Sequence, residues 1–186
     1  MKAEKGIALI TALIFLVVLT ILGLAAMRST TMQERMSGNL RDQSVALQAA
    51  EAALRDARAD LSFGAHLNGR NVTASSFPLT GTSTSCIKGL CGPETVLTKL
   101  SEVAANLTTT ANFASYGEFT GAGALPGLSL QPRYIMELLP TTLNAKLSLT
   151  SVTATAFYVR ITAQGYGLNP DTVVRIEEIV LVELDS

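Results

Sequence analysis

The chain has no tryptophan, one histidine (His66) and only two cysteines, Cys86 and Cys91. Metal centres and nucleophilic sites usually draw on several such groups, so the inventory is thin from the start. With both cysteines and His66 enlisted, a tetrahedral zinc site would still lack a ligand. Charged residues make up 16% of the chain, its formal net charge is −1, and no run of like charge occurs. Binding to nucleic acid needs clustered Lys and Arg to neutralise phosphates, so that class of partner is excluded. The G-x-S-x-G, Walker A and H-E-x-x-H patterns are all missing. Asp60, Glu118 and Asp171 stand isolated and belong to no calcium loop. We therefore expect no catalytic residue, no metal and no cofactor.

What the chain has in quantity is apolar surface: 48% of its 186 residues are hydrophobic, concentrated near the N-terminus. Met1 to Gly6 (MKAEKG) is short and polar. Ile7 to Met27 is then almost wholly apolar, broken only by Thr11, Thr20 and Gly23. As a helix this run spans roughly 30 Å, the hydrocarbon thickness of a bilayer. A helix satisfies its own backbone in lipid. Lys2 and Lys5 favour a cytoplasmic N-terminus, which sends everything beyond Arg28 outward. A cleaved secretory signal is the competing reading, but the apolar core exceeds an ordinary h-region. A buried soluble helix would need an equally apolar partner segment, and the chain has none.

The helical pattern continues past the apolar run. From Arg28 to Leu61 there is no proline and one glycine, Gly38. Met32, Met36, Leu40, Leu47, Ala50, Leu54, Ala57 and Leu61 recur at helical spacing and form one stripe. Glu51 and Arg55 form a favourable i,i+4 pair, and Ala46 to Ala59 is rich in the best helix former. Gly38-Asn39 is the weakest point and a candidate bend. Ile7 to Leu61 would be a helix on the order of 80 Å long. Met32 and Met36 read as packing against another helix rather than as a ligand pair.

The C-terminal third reads as sheet. Phe157, Val159, Ile161 and Ala163 alternate with Tyr158, Arg160, Thr162 and Gln164, the pattern of a half-buried strand. Gly165 to Asp171 (GYGLNPD) is turn chemistry. Thr172 to Leu184 predicts a long strand with Val174, Ile176, Val180, Val182 and Leu184 on one side; Glu178 breaks that face and suggests a bulge there. Arg133 to Leu139 is a third strand. Short links imply an antiparallel meander, covered by the helix stripe through Leu47, Ala50, Leu54, Ala57 and Leu61. Between helix and sheet, Gly92-Pro93 opens a helix with Val96, Leu97, Leu100, Val103, Ala104 and Leu107 on one side. The fold class is α+β.

The stretch G-I-A-L-I-T-A-L-I-F-L-V-V-L-T-I-L-G-L-A-A-M-R-S (Gly6 to Ser29), with M-Q-E-R-M-S-G-N (Met32 to Asn39) and Q-A-A-E-A-A-L-R (Gln48 to Arg55), resembles the N-terminal region of PilX-type minor pilins of type IV pili. The resemblance covers about the first third of the chain; Y-I-M-E and the terminal G-x-x-P-D-T-V-V pattern extend it more loosely. It implies a pilin-like fold. Residues 1–6 would be a prepilin leader, 7–28 the transmembrane and filament-core half of the first helix, 29–61 its amphipathic half, and 62–186 a periplasmic head. A prepilin peptidase would cut after Gly6, and Ile7 would become the N-methylated first residue. The partners implied are the inner membrane, the major pilin, other minor pilins and a tip adhesin, in a complex that primes assembly and supports adhesion and twitching motility. One departure stands out. Most pilins carry glutamate at the fifth mature position; here it is Thr11, which cannot ionise. The K-type minor pseudopilins of type II secretion also lack that glutamate and resemble tip subunits.

Two alternatives stay open on the sequence. A minor pseudopilin of type II secretion shares the same physics, although the 62–131 region is too small for the extra domain of the K type. A single-pass tethered binding protein would keep its leader and would not need the amphipathic extension. Cys86 and Cys91, with four residues between them, do not match the C-x-x-C redox pattern. In an oxidising periplasm we expect them to close a small loop. Asn71-Val72-Thr73 and Asn106-Leu107-Thr108 spell a glycosylation acceptor, which in a bacterial chain is a chance match.

Overall fold

The computed structural model describes residues 7–62, 70–78, 86–92, 100–139 and 155–184. The chain forms two compact units, Met1–Arg41 and Asp42–Ser186. Helix α1 (Ile7–Ser62) is continuous through Gly38-Asn39. After it come a short 3-10 turn (Ala74–Ser76), β1 (Leu90–Cys91), α2 (Leu100–Thr108), β2 (Ala114–Ser115), β3 (Arg133–Leu138), β4 (Thr155–Tyr166) and β5 (Val173–Leu184). The helix expected to open at Gly92-Pro93 is described only from Leu100; residues 93–99 lie outside the described residues.

Within the second unit the sheet order is β1-β3-β4-β5, with β2 also paired to β3. Strands β3, β4 and β5 form the expected antiparallel meander, and β1 adds a parallel edge, Leu90 opposite Met136. The β4–β5 register holds without slip from Thr155–Leu184 to Tyr166–Val173, so no bulge interrupts it at Glu178. Glu178 keeps its place on the inner face because Arg58 of α1 reaches it there, Nε to Oε2 at 2.9 Å. A carboxylate met by a guanidinium needs no bulge to turn it away.

The inner face carries Tyr134, Met136 and Leu138 from β3 and Val159, Ile161 and Ala163 from β4, all buried against Ala53, Leu54, Ala57 and Leu61 of α1. This alternation is the period of two that a half-covered sheet requires. The helix face differs from the expected stripe. Ala50, Leu54, Ala57 and Leu61 are buried, but Leu47 is 41% exposed, and Ala46, Ala49 and Ala53 are buried instead. The helix is turned so that its smallest side chains meet the sheet. Gly165 shows why: a Cβ there would lie 2.1 Å from the Ala46 carbonyl oxygen and 2.3 Å from the Ala50 nitrogen. Backbone approaches backbone at that point, which only glycine facing alanine allows. Gly165 therefore belongs to β4, and the turn begins at Gly167, whose amide donates to Thr172 O at 2.9 Å. On the outer face a smaller cluster of Cys86, Cys91, Leu107, Phe113 and Ile135 packs beneath α2.

Candidate functional site

In the first unit the helix from Ala8 to Ala25 is long and apolar enough to cross a membrane, and none of it is buried. Leu9, Phe15, Leu19 and Leu24 are each more than 60% exposed. Water makes such a surface costly, whereas hydrocarbon does not. The two hydroxyls in this span are spent within the helix. Thr11 Oγ1 donates to Ala8 O at 3.0 Å, and Thr20 Oγ1 to Val17 O at 2.8 Å. Back-bonding of this kind hides a hydroxyl's polarity from an apolar surrounding. Thr11 thus offers a neighbour neither a charge nor a free proton. Gly6 and the rest of residues 1–6 lie outside the described residues, and Ile7 opens α1. Further along, Met32, Met36 and Leu40 are exposed.

In the second unit a ladder of carboxylates on α1 holds the head. Asp42 Oδ1 accepts from the Leu168 amide at 2.5 Å and more distantly from Asn169. The Thr172 hydroxyl, aided by those amides, holds the Asp42 carboxyl below the ordinary aspartate range. Asp56 accepts from the Gly117 amide at 2.8 Å and from the Thr120 hydroxyl. Asp60 is buried; it accepts from Arg70 Nη2 at 2.6 Å and from the Tyr134 hydroxyl at 3.0 Å. Burial, reinforced by the nearby Asp60 and Asp56 charges, pushes the Tyr134 hydroxyl far above the usual tyrosine range, so it stays a donor. Arg70 also lies over the Phe119 ring, 3.9 Å from its centre. Asp60 reads as isolated in the sequence, but it is the centre of this network. The signal available was its i,i+4 spacing from Asp56 inside an alanine-rich face.

Cys86 and Cys91 are joined, with Cα atoms 4.4 Å apart. Between them Ile87 and Leu90 exchange two backbone hydrogen bonds of 2.9 Å. Lys88 and Gly89 both take positive φ, 46° and 82°. Two such residues make the tight hairpin turn whose twist suits paired strands, so the loop closes before sulfur chemistry is invoked. Asn106 is buried and accepts from the Cys86 amide at 2.9 Å. The same oxygen accepts from Asn112 Nδ2 at 2.9 Å. Among the described residues no group of His, Cys, Asp and Glu could hold a metal ion; His66 lies outside them.

Comparison with known proteins returned two family models. The PilX N-terminal model matches residues 5–55, and the model described as type IV pilus assembly protein PilX C-term matches residues 80–182. Neither the curated proteins nor the solved structures gave a match. The first model ends within the alanine-rich stretch of α1, and the second takes in the disulfide loop, α2, β1 to β4 and all but the last two residues of β5. An exposed apolar helix leading into a helix-on-sheet head, matched at both ends by models of one family, means that this chain belongs to the PilX family of type IV pilus proteins.

Proposed function

We propose that the chain is a non-enzymatic minor pilin that helps to prime type IV pilus assembly and takes a place at or near the pilus tip. The observation that carries this reading is the wholly exposed apolar span Ala8–Ala25, in the same helix whose later turns form one wall of the head's core. Residues 1–6 act as the leader, cut by prepilin peptidase between Gly6 and Ile7, and Ile7 is then methylated. Residues 7–28 hold the protein in the inner membrane, with the head (62–186) in the periplasm. On extraction the same segment enters the filament core, and residues 29–61 continue as the amphipathic half. Exposed Met32, Met36 and Leu40 suit packing against neighbouring helices of the major pilin and of other minor pilins. The minor pilin complex displays a tip adhesin and so supports adhesion and twitching.

Thr11 bears on the position in the complex. A subunit inserted below another needs a carboxylate to meet its neighbour's N-terminal amine, because an unpaired charge in apolar surroundings is costly. Thr11, closed on Ala8 O, supplies none, which suits a terminal place.

The test is the N-terminal mass of protein recovered from sheared pili, read beside incorporation of Thr11→Glu. Cleavage after Gly6 and altered incorporation or position of the variant are expected. An intact leader on fibre-borne protein would sink the pilin reading. Unchanged incorporation and position of Thr11→Glu would remove only the terminal placement.

A further inference from the structure

Both cysteines are sealed inside the head: Cys86 is 1% exposed and Cys91 0%. They share a buried cluster with Leu107, Phe113 and Ile135, and Val103 packs against it. Leu107 and Val103 belong to α2 and Ile135 to β3, so helix and sheet together enclose the bond. Asn106 of α2, also buried, ties that helix to the loop through the Cys86 amide.

The loop does not depend on its bond for its shape. Every amide from Cys86 to Leu90 donates to an acceptor within the head. Beyond Cys86 to Asn106 and the Ile87–Leu90 pair, Lys88 N donates to Ala111 O at 2.9 Å and Gly89 N to Asn112 O at 2.8 Å. The Gly89 carbonyl accepts from Met136 N of β3 at 2.6 Å, and the Lys88 carbonyl from Arg70 Nη1 at 2.5 Å. These backbone contacts bring the two cysteines together whether or not sulfur is joined to sulfur.

We infer that the Cys86–Cys91 bond is made on the open chain, before α2 docks, and that docking then seals it against exchange. Thiol–disulfide exchange needs a thiolate and a clear path to a sulfur, and the folded head gives no such path to either cysteine. The reactant is a dithiol carrier in its oxidised form, with an exposed disulfide. The thiolate of one cysteine attacks a carrier sulfur and breaks the carrier's S–S bond, which leaves a mixed disulfide. The thiolate of the other cysteine then attacks the first Sγ, forms the Cys86–Cys91 bond and releases the carrier as its dithiol. Two electrons pass to the carrier, and its two thiols take up the protons that the cysteines give up. Folding therefore fixes the oxidation state: a head that closes reduced stays reduced, and one that closes oxidised stays oxidised. That the chain meets its carrier in an oxidising compartment rests on the membrane-anchored reading; the sealing and the test below do not.

The test compares sulfur chemistry in the full chain, folded in detergent, with the same chain unfolded in urea at the same pH. Dithiothreitol should reduce the folded chain at least ~30-fold more slowly, because attack must wait for the head to open. Chain reduced while unfolded and then refolded should regain the parent's circular dichroism and melt cooperatively. Its thiols should react with iodoacetamide at least ~30-fold more slowly than in urea. Asn106→Ala unties α2 from Cys86 and should speed reduction of the folded chain by at least ~5-fold while the rate in urea stays unchanged. Val103→Ala, at a position only partly buried, keeps the fold and should speed it by at least ~3-fold, so the inference is tested even if Asn106→Ala does not fold. A smaller protection in either the reduction or the alkylation measurement, a reduced chain that stays unfolded, or a folded Val103→Ala variant reduced no faster than the parent would each overturn the inference.

Discussion

The two parts of α1 reverse the usual relation between apolarity and burial. From Ala8 to Ala25 most side chains are large and apolar, and none is buried. From Ala46 to Leu61 the buried side chains are five alanines, two leucines and the carboxylates of Asp56 and Asp60. Within one helix, then, apolar character marks the segment suited to lipid, and small size marks the segment that meets the sheet. Close approach decides the second case. Alanines facing Gly165 bring two backbones together, and the polar groups this traps are each given a partner. Among the described residues no buried side-chain polar atom is left without one.

The largest effect should come from the buried polar centre. Asp60→Ala takes the carboxylate from the Arg70 guanidinium, which keeps only the Lys88 carbonyl and the Phe119 ring, and leaves the Tyr134 hydroxyl without its acceptor; it should cost the head about 3–5 kcal/mol by thermal or denaturant unfolding of the full chain in detergent. A loss below about 1 kcal/mol would mean that Asp60 is incidental. In the anchor half, Val17→Asp should raise the free energy of membrane insertion by about 3 kcal/mol, seen as a shift to the soluble fraction, while the head's melting temperature stays unchanged. If that substitution also unfolded the head, the two parts of the helix would not be independent.

A smaller pair of substitutions locates the buried face. Leu54→Ala should cost about 2 kcal/mol and Leu47→Ala less than about 0.5 kcal/mol, both from denaturant midpoints. Equal costs would restore the stripe expected from periodicity. The smallest effect concerns Asp42. Its carboxyl is depressed in the folded chain, so the stabilisation it supplies is complete above the unfolded value, near 3.8, and is lost as pH falls through the lower folded value. Asp42→Asn should therefore lower the melting temperature at neutral pH, and the gap from the parent should close at strongly acid pH. A gap that does not depend on pH would assign the effect to shape rather than charge.

Much of the fold was legible because it rests on local periodicity. The long apolar run, the absence of proline to Leu61 and the alternation in Phe157–Ala163 foretold α1 and β4 closely. The strand reading of Thr172–Leu184 was right in extent and wrong about its bulge, since Arg58 lies far from Glu178 in sequence. The cysteine pair was legible as a loop, but its Lys88-Gly89 turn and its packing on Ile135 were not. The Asp56–Asp60 ladder was missed because a carboxylate on a helix reads as solvated unless its partners are known.

By itself the sequence determined that a long helix begins in apolar residues and that a meander closes the chain, because both are properties of neighbours along the backbone. It also carried the family signature. Only the tertiary structure decided which face of that helix is buried, where Glu178 points and what Asp60 holds. Those depend on how closely two backbones approach and on which distant groups then lose water, and no repeat along the chain encodes either.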